Sequence, residues 1–105
     1  MKRGDLVTVA LTGAYGKPRP ALVIQSDWFD AHPSVTVLPV TSALRDAPLF
    51  RIPVDPAPLN GLTRASQVMV DKAITVARER VGQVIGRLDD ATLLQIERLL
   101  AVFLG

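Results

Sequence analysis

Pro18-Arg19-Pro20-Ala21-Leu22-Val23-Ile24 is the stretch on which the fold turns. Pro20–Ile24 is an apolar run too short for an ordinary helix, and it reads as a buried strand. Prolines flank Arg19 on both sides. Each ring fixes its own φ and pushes the residue before it toward extended geometry, so Arg19 is held extended at a loop–strand junction. Upstream, Gly4-Asp5 leads into Leu6-Val7-Thr8-Val9-Ala10, a β-branched run that reads as a first strand. Thr12-Gly13-Ala14-Tyr15-Gly16-Lys17-Pro18 then forms a turn-rich loop.

Downstream, Ser26 or Asp27 can cap one helical turn before Pro33 stops it. Val35–Val40 reads as a third strand closed by Thr41-Ser42. Leu49–Val54 alternates with period two, and Pro53 marks it as an edge strand because proline has no N–H to give a neighbour. Asn60-Gly61 is a turn, and Ser66–Val70 and Ala73–Ala77 supply two more short strands around Asp71-Lys72. Short strands with frequent turns predict a small barrel or strongly curved sheet. The end of the chain differs in kind. Asp89-Asp90-Ala91-Thr92 caps a segment with Leu93, Ile96, Leu99, Leu100 and Phe103 at amphipathic-helix spacing, whose apolar face must pack on the sheet or on a second subunit. The expected class is therefore mainly β with a C-terminal α-helix.

Composition narrows the chemistry. The 105 residues have room for one domain, 1–105. The chain has no cysteine, which removes disulfides, thiolate nucleophiles and cysteine metal sites. No apolar stretch approaches the roughly 20 residues that span a bilayer. The Met1-Lys2-Arg3 start lacks a signal-peptide core, so a cytoplasmic protein with no membrane partner is expected. The net charge is only +2, with a mild basic excess up to residue 72 that is compatible with a polyanion. His32 is the only histidine, so one chain can build neither a two-histidine ribonuclease nor a histidine-rich metal site, and His32 reads as a loop residue before Pro33. Gly13–Lys17 lacks the spacing of a phosphate-binding Walker loop. An arginine at a rigid strand entrance and hydroxyls at a strand end remain.

Seven segments, in order, resemble the MazF/PemK toxins over nearly the whole chain: Gly4–Val7, Arg19–Ile24, Pro39–Ser42, Gly61-Leu62, Ser66–Val68 with Asp71-Lys72, Thr75-Val76 and Ile85–Leu88. The resemblance implies an SH3-like small barrel of the CcdB/MazF type and a homodimer. It also implies a toxin of a type II toxin–antitoxin system that cleaves single-stranded mRNA sequence-selectively without metal or other cofactor, and that a cognate antitoxin neutralises. The family's catalytic arginine, directly before proline at the second strand, falls on Arg19. Its hydroxyl partner, two positions after the proline of the third strand, falls on Thr41. Substrate binding is expected from Tyr15 and Lys17 on the first loop, from Ser42, and from Asp71 and Lys72. Some relatives carry an arginine where this chain has Met69, and many have a longer first loop.

The chemistry suits such residues, because RNA can be cut by its own 2′-OH if the enzyme stabilises the extra charge at phosphorus, which a guanidinium does with paired donors. Two rival readings are weaker. The CcdB branch inhibits DNA gyrase through a C-terminal Trp-Gly-Ile end, whereas this chain finishes Phe103-Leu104-Gly105. An SH3-like RNA-binding module without chemistry needs a stacking platform, and aromatics are sparse here.

Overall fold

The computed structural model describes residues 1–10 and 17–105. In chain order the strands are β1 (Asp5–Val9), β2 (Arg19–Val23), β3 (Ser34–Thr41), β4 (Arg51–Val54), β5 (Ser66–Met69), β6 (Ile74–Ala77) and β7 (Val81–Arg87), followed by one helix, α1 (Asp90–Leu104). Single 3-10 turns lie at Asp27–Phe29, Val70–Lys72 and Arg78–Arg80. The strands form a sheet of order β4-β5-β3-β2-β1-β7, with β6 also on β3. β4 and β7 stand at the two ends, so the sheet does not close on itself, and the arrangement is consistent with the expected small barrel-like fold.

β3 bends that sheet. Its C-terminal half pairs with β5 and its N-terminal half with β6, both antiparallel. Val40 faces Val68, and the same register carried on would set Val37 against Asp71; Val37 instead faces Ile74. The Val70–Lys72 turn is the inserted piece, so the segment expected as two strands around Asp71-Lys72 is two strands joined by a 3-10 turn.

Alternation along the central strands feeds two cores. Leu6, Leu22, Leu38 and Val40 point to one side, where they meet Ile52, Val54, Val68, Leu88 and the helix residue Ile96. Val7, Val9, Ala21, Val23, Val35 and Val37 point to the other, where they meet Val76. Strands buried on both faces read as unbroken apolar runs, which is why β2 shows no polar alternation in the sequence. β4 does alternate: Ile52 and Val54 are buried and Pro53 is exposed, at an end of the sheet as its proline demands.

α1 starts where the sequence places it. Asp89 accepts from the Thr92 N–H at 2.8 Å through one carboxylate oxygen and from the Thr92 hydroxyl at 2.8 Å through the other. Ile96 is its one fully buried residue, while Val102, Phe103 and Leu104 are largely exposed.

β7 was not expected as a strand. Val81-Gly82-Gln83-Val84-Ile85-Gly86-Arg87 carries two glycines that read as breakers, and its pairing with β1 shifts register twice. At Gly86 the missing side chain is required, because a Cβ there would collide with the Asn60 carbonyl. Gly61, at φ +69°, makes the matching approach to the Ile85 carbonyl. Those two contacts fasten the Asn60-Gly61 turn against β7.

Candidate active site

Antiparallel pairing of β2 and β3 sets Ala21 against Pro39, Leu22 against Leu38 and Val23 against Val37. Two residues beyond the first of these pairs, the same register brings Arg19 across from Thr41. Both side chains share the alternation of Ala21 and Val37, on one face of the sheet and at its open end. Arg19 also pairs with Val9 of β1, so its backbone is fixed from the other side. Two residues remote in sequence are thereby held as cross-strand neighbours by the register of the sheet.

They open into a cleft of about 640 Å³ lined by Lys17, Arg19, Thr41, Ser42, Arg64 and Met69 among others. The lining includes three cations and no carboxylate. Among the described residues, the side chains of Lys17, Arg19 and Arg64 make no ion pair with an acid; the pairs present are Arg3–Glu97, Lys72–Asp71 and Arg87–Asp90. Unpaired cations facing one concave surface favour a polyanion there.

Thr41 is oriented by its own loop. Its Oγ1 accepts from the Ala43 N–H at 3.0 Å, which leaves the hydroxyl proton for donation into the cleft. The opposite wall comes from the turn after β4. Asn60 is buried and holds that turn together: its Oδ1 accepts from the Ala57 and Leu62 N–H groups at 3.1 and 3.0 Å, and its Nδ2 donates to the Asp55 carbonyl at 2.9 Å. Ser66 Oγ donates to the Arg64 carbonyl at 2.8 Å and fixes the backbone from which the arginine projects.

Of the residues expected at the site, Arg19, Thr41, Lys17 and Ser42 meet in this cleft. Tyr15 lies outside the described residues. Asp71 and Lys72 are not among the lining residues; they sit on the 3-10 turn between β5 and β6 and face each other at 3.7 Å. His32 is an exposed loop residue whose Nδ1 accepts from the Ser34 N–H at 3.1 Å. Arg64 was missed in the sequence; its only signal is a cation just after the Asn60-Gly61 turn with no acid between Asp55 and Asp71. Met69 occupies the place where some relatives have arginine, and Arg51 of the adjacent strand donates to its sulfur at 3.6 Å. Among the described residues no three acids or histidines gather as a metal site would require.

Residues 2–104 match the family described as PemK-like, MazF-like toxin of type II toxin-antitoxin system. The chain belongs to this toxin family. A probable endoribonuclease MazF of Mycolicibacterium smegmatis is 50% identical over 106 residues, spanning 100% of this chain and 97% of that protein. A MazE-MazF crystal structure from Deinococcus radiodurans superposes with a TM-score of 0.81 at 28% identity, covering 100% of this chain and 96% of that one. A mycobacterial endoribonuclease in complex with its cognate antitoxin shares the fold with a TM-score of 0.84 at 23% identity, covering 100% and 95% of the two chains. The PemK/MazF resemblance read from seven short segments is thus the family of the whole chain. No described helix is long and apolar enough to cross a membrane.

Proposed function

We propose that this toxin-family chain is a cytoplasmic endoribonuclease that cuts single-stranded mRNA, with residues 1–105 acting as one catalytic domain. The observation that carries the reading is the placement of Arg19 across from Thr41 at the mouth of a cleft lined by three cations and no carboxylate. The 2′-oxygen of a bound nucleotide attacks the adjacent phosphorus; its bond to phosphorus forms as the bond from phosphorus to the 5′-oxygen breaks. The 2′-hydroxyl gives up its proton and the 5′-oxygen takes one up, leaving a 2′,3′-cyclic phosphate and a 5′-OH end. Negative charge grows on the non-bridging oxygens during this step. The Arg19 guanidinium meets that charge with two parallel N–H donors, and the Thr41 hydroxyl adds a third. Lys17, Ser42 and Arg64 hold the flanking RNA, and Tyr15 is assigned to substrate binding on the family resemblance alone. Asp71 and Lys72 contact the strand farther along.

Relatives solved with a partner support a matching antitoxin for this chain. The cations of the cleft suit an acidic segment of that antitoxin lying there in competition with RNA. The exposed Val102, Phe103 and Leu104 at the end of α1 leave apolar surface for the second copy of a homodimer. The gyrase-inhibitor and chemistry-free readings have no comparable observation behind them.

The test is end mapping. Purified protein is incubated with a long RNA in EDTA, and cyclic-phosphate and 5′-OH termini are expected at a restricted set of sequences. Cleavage that needs a divalent metal and leaves 5′-phosphates would overturn the internal-attack reading, because a metal-activated water would then be the nucleophile.

A further inference from the structure

We infer that Gln67, backed by Arg51, is a positioning residue that sets the Thr41 hydroxyl for RNA cleavage; this rests on the endoribonuclease reading above. Gln67 lies on β5 directly across from Thr41 in the β3–β5 pairing. Its amide grips one residue of the next loop from both sides. Oε1 accepts from the Arg45 N–H at 3.0 Å, and Nε2 donates to the Arg45 carbonyl at 2.8 Å. The same Oε1 accepts from Arg51 Nη1 at 3.1 Å, and that Nη1 also donates to the Ala43 carbonyl at 2.9 Å. Ala43 in turn gives its N–H to Thr41 Oγ1.

The bonds form one connected path from Gln67 through Arg51 and Ala43 to the hydroxyl. Residues 42–46 are exposed and carry no ladder partners, so without the path they would move as an open loop. A side-chain amide with one donor and one acceptor aimed at the same residue's backbone fixes both position and orientation. Neither Gln67 nor Arg51 lines the cleft, so the pair acts through the loop and not on RNA.

The experiment compares wild type with Gln67→Leu, which removes all three Gln67 bonds at similar volume, and Gln67→Glu, which keeps both acceptor bonds and loses the donation to the Arg45 carbonyl. Single-turnover and steady-state cleavage of one RNA are measured, with amide hydrogen exchange at Ala43 and Arg45 read by NMR. In Gln67→Leu the account expects kcat to fall by about 10- to 100-fold, as displacement of a reacting group does, while KM changes little. Gln67→Glu should fall between it and wild type. Exchange at Ala43 and Arg45 should accelerate in the same order, with the fold still intact by thermal unfolding.

Unchanged exchange in folded Gln67→Leu would overturn the clamp. Accelerated exchange with wild-type kcat would overturn its role in positioning Thr41. Should Gln67→Leu fail to fold, the order of Gln67→Glu and wild type in both readouts decides the same question. Wild-type protein that cuts no RNA would instead sink the endoribonuclease reading, and exchange alone would then judge the clamp.

Discussion

The β2–β3 pair has two ends, and they dispose of their polar groups in opposite ways. At the far end the connection between the strands closes on itself. Gln25 donates to the Phe29 and Ser34 carbonyls and accepts from the Thr36 N–H, all at 3.0 Å. Arg78 Nε donates to the His32 carbonyl at 2.8 Å, and Asp27 accepts from the Arg3 N–H at 2.8 Å. Ser26 caps the 3-10 turn by accepting from Trp28 N–H at 3.3 Å, which leaves Trp28 itself 92% exposed. At the cleft end, hydrogen bonds hold the loops and leave the functional tips alone: Ala43 and Arg45 are pinned, whereas the Lys17, Arg19 and Arg64 side chains have no acid to pair with among the described residues. A polar group already satisfied inside the protein must break that bond to meet a ligand; an unpaired cation beside a fixed hydroxyl has no such cost. On the proposed reading, the exposed Trp28 and Phe29 and the sole histidine, His32, lie at the end away from the RNA.

The largest expected effect comes from making Arg19 resemble the closed end. Arg19→Ala should lower kcat/KM for RNA by about 100- to 1000-fold, the loss expected when one donor to a developing oxyanion is removed. Its thermal midpoint should barely move, because the side chain is exposed. The parallel change at the other end, His32→Ala, should leave cleavage unaltered. Equal losses in the two variants would erase the distinction between the ends.

Arg64 gives a smaller and different effect. Arg64→Ala should raise KM with kcat nearly kept, and the slope of log affinity against log salt should flatten by about 0.7, the share of one phosphate contact on a single strand. A fall in kcat at unchanged salt slope would move Arg64 from holding the strand to the reacting phosphate.

The smallest effect lies at the helix start, away from both ends. The Thr92 backbone N–H, and then the Thr92 hydroxyl, hold the Asp89 carboxyl below its ordinary value of 3.8. Its folded value is thus the lower one, so its contribution to stability is present above pH 3.8 and is lost as pH falls from there through the folded value. Asp89→Ala should lower the unfolding midpoint by a few degrees at neutral pH, and the difference from wild type should shrink in acid.

How much of this was legible in the sequence follows from what each feature depends on. α1 and the Ser26 cap depend on residues within one turn of each other, and both were readable. β4 announced itself by alternation and by Pro53. β7 was hidden, since its glycines signal a break until Asn60 and Leu59 are seen to press against Gly86. At the site, the flanking prolines showed that Arg19 is held rigid, but its partnership with Thr41 came from family resemblance, because a strand register across 22 positions leaves no local signal. Arg64 and Gln67 were invisible as functional residues for the same reason: the wall and the clamp are built by pairing, not by neighbouring sequence.

The central claim is that RNA lies at the Arg19–Thr41 end of these strands. The most direct measurement is NMR titration of the protein with an RNA carrying 2′-O-methyl groups, which binds but cannot supply the attacking hydroxyl. The account predicts shifts at Arg19, Thr41, Ser42 and Arg64, none at Trp28, Phe29 or His32, and no cleavage. Shifts centred on Trp28 and His32 with the cleft signals unmoved would contradict it.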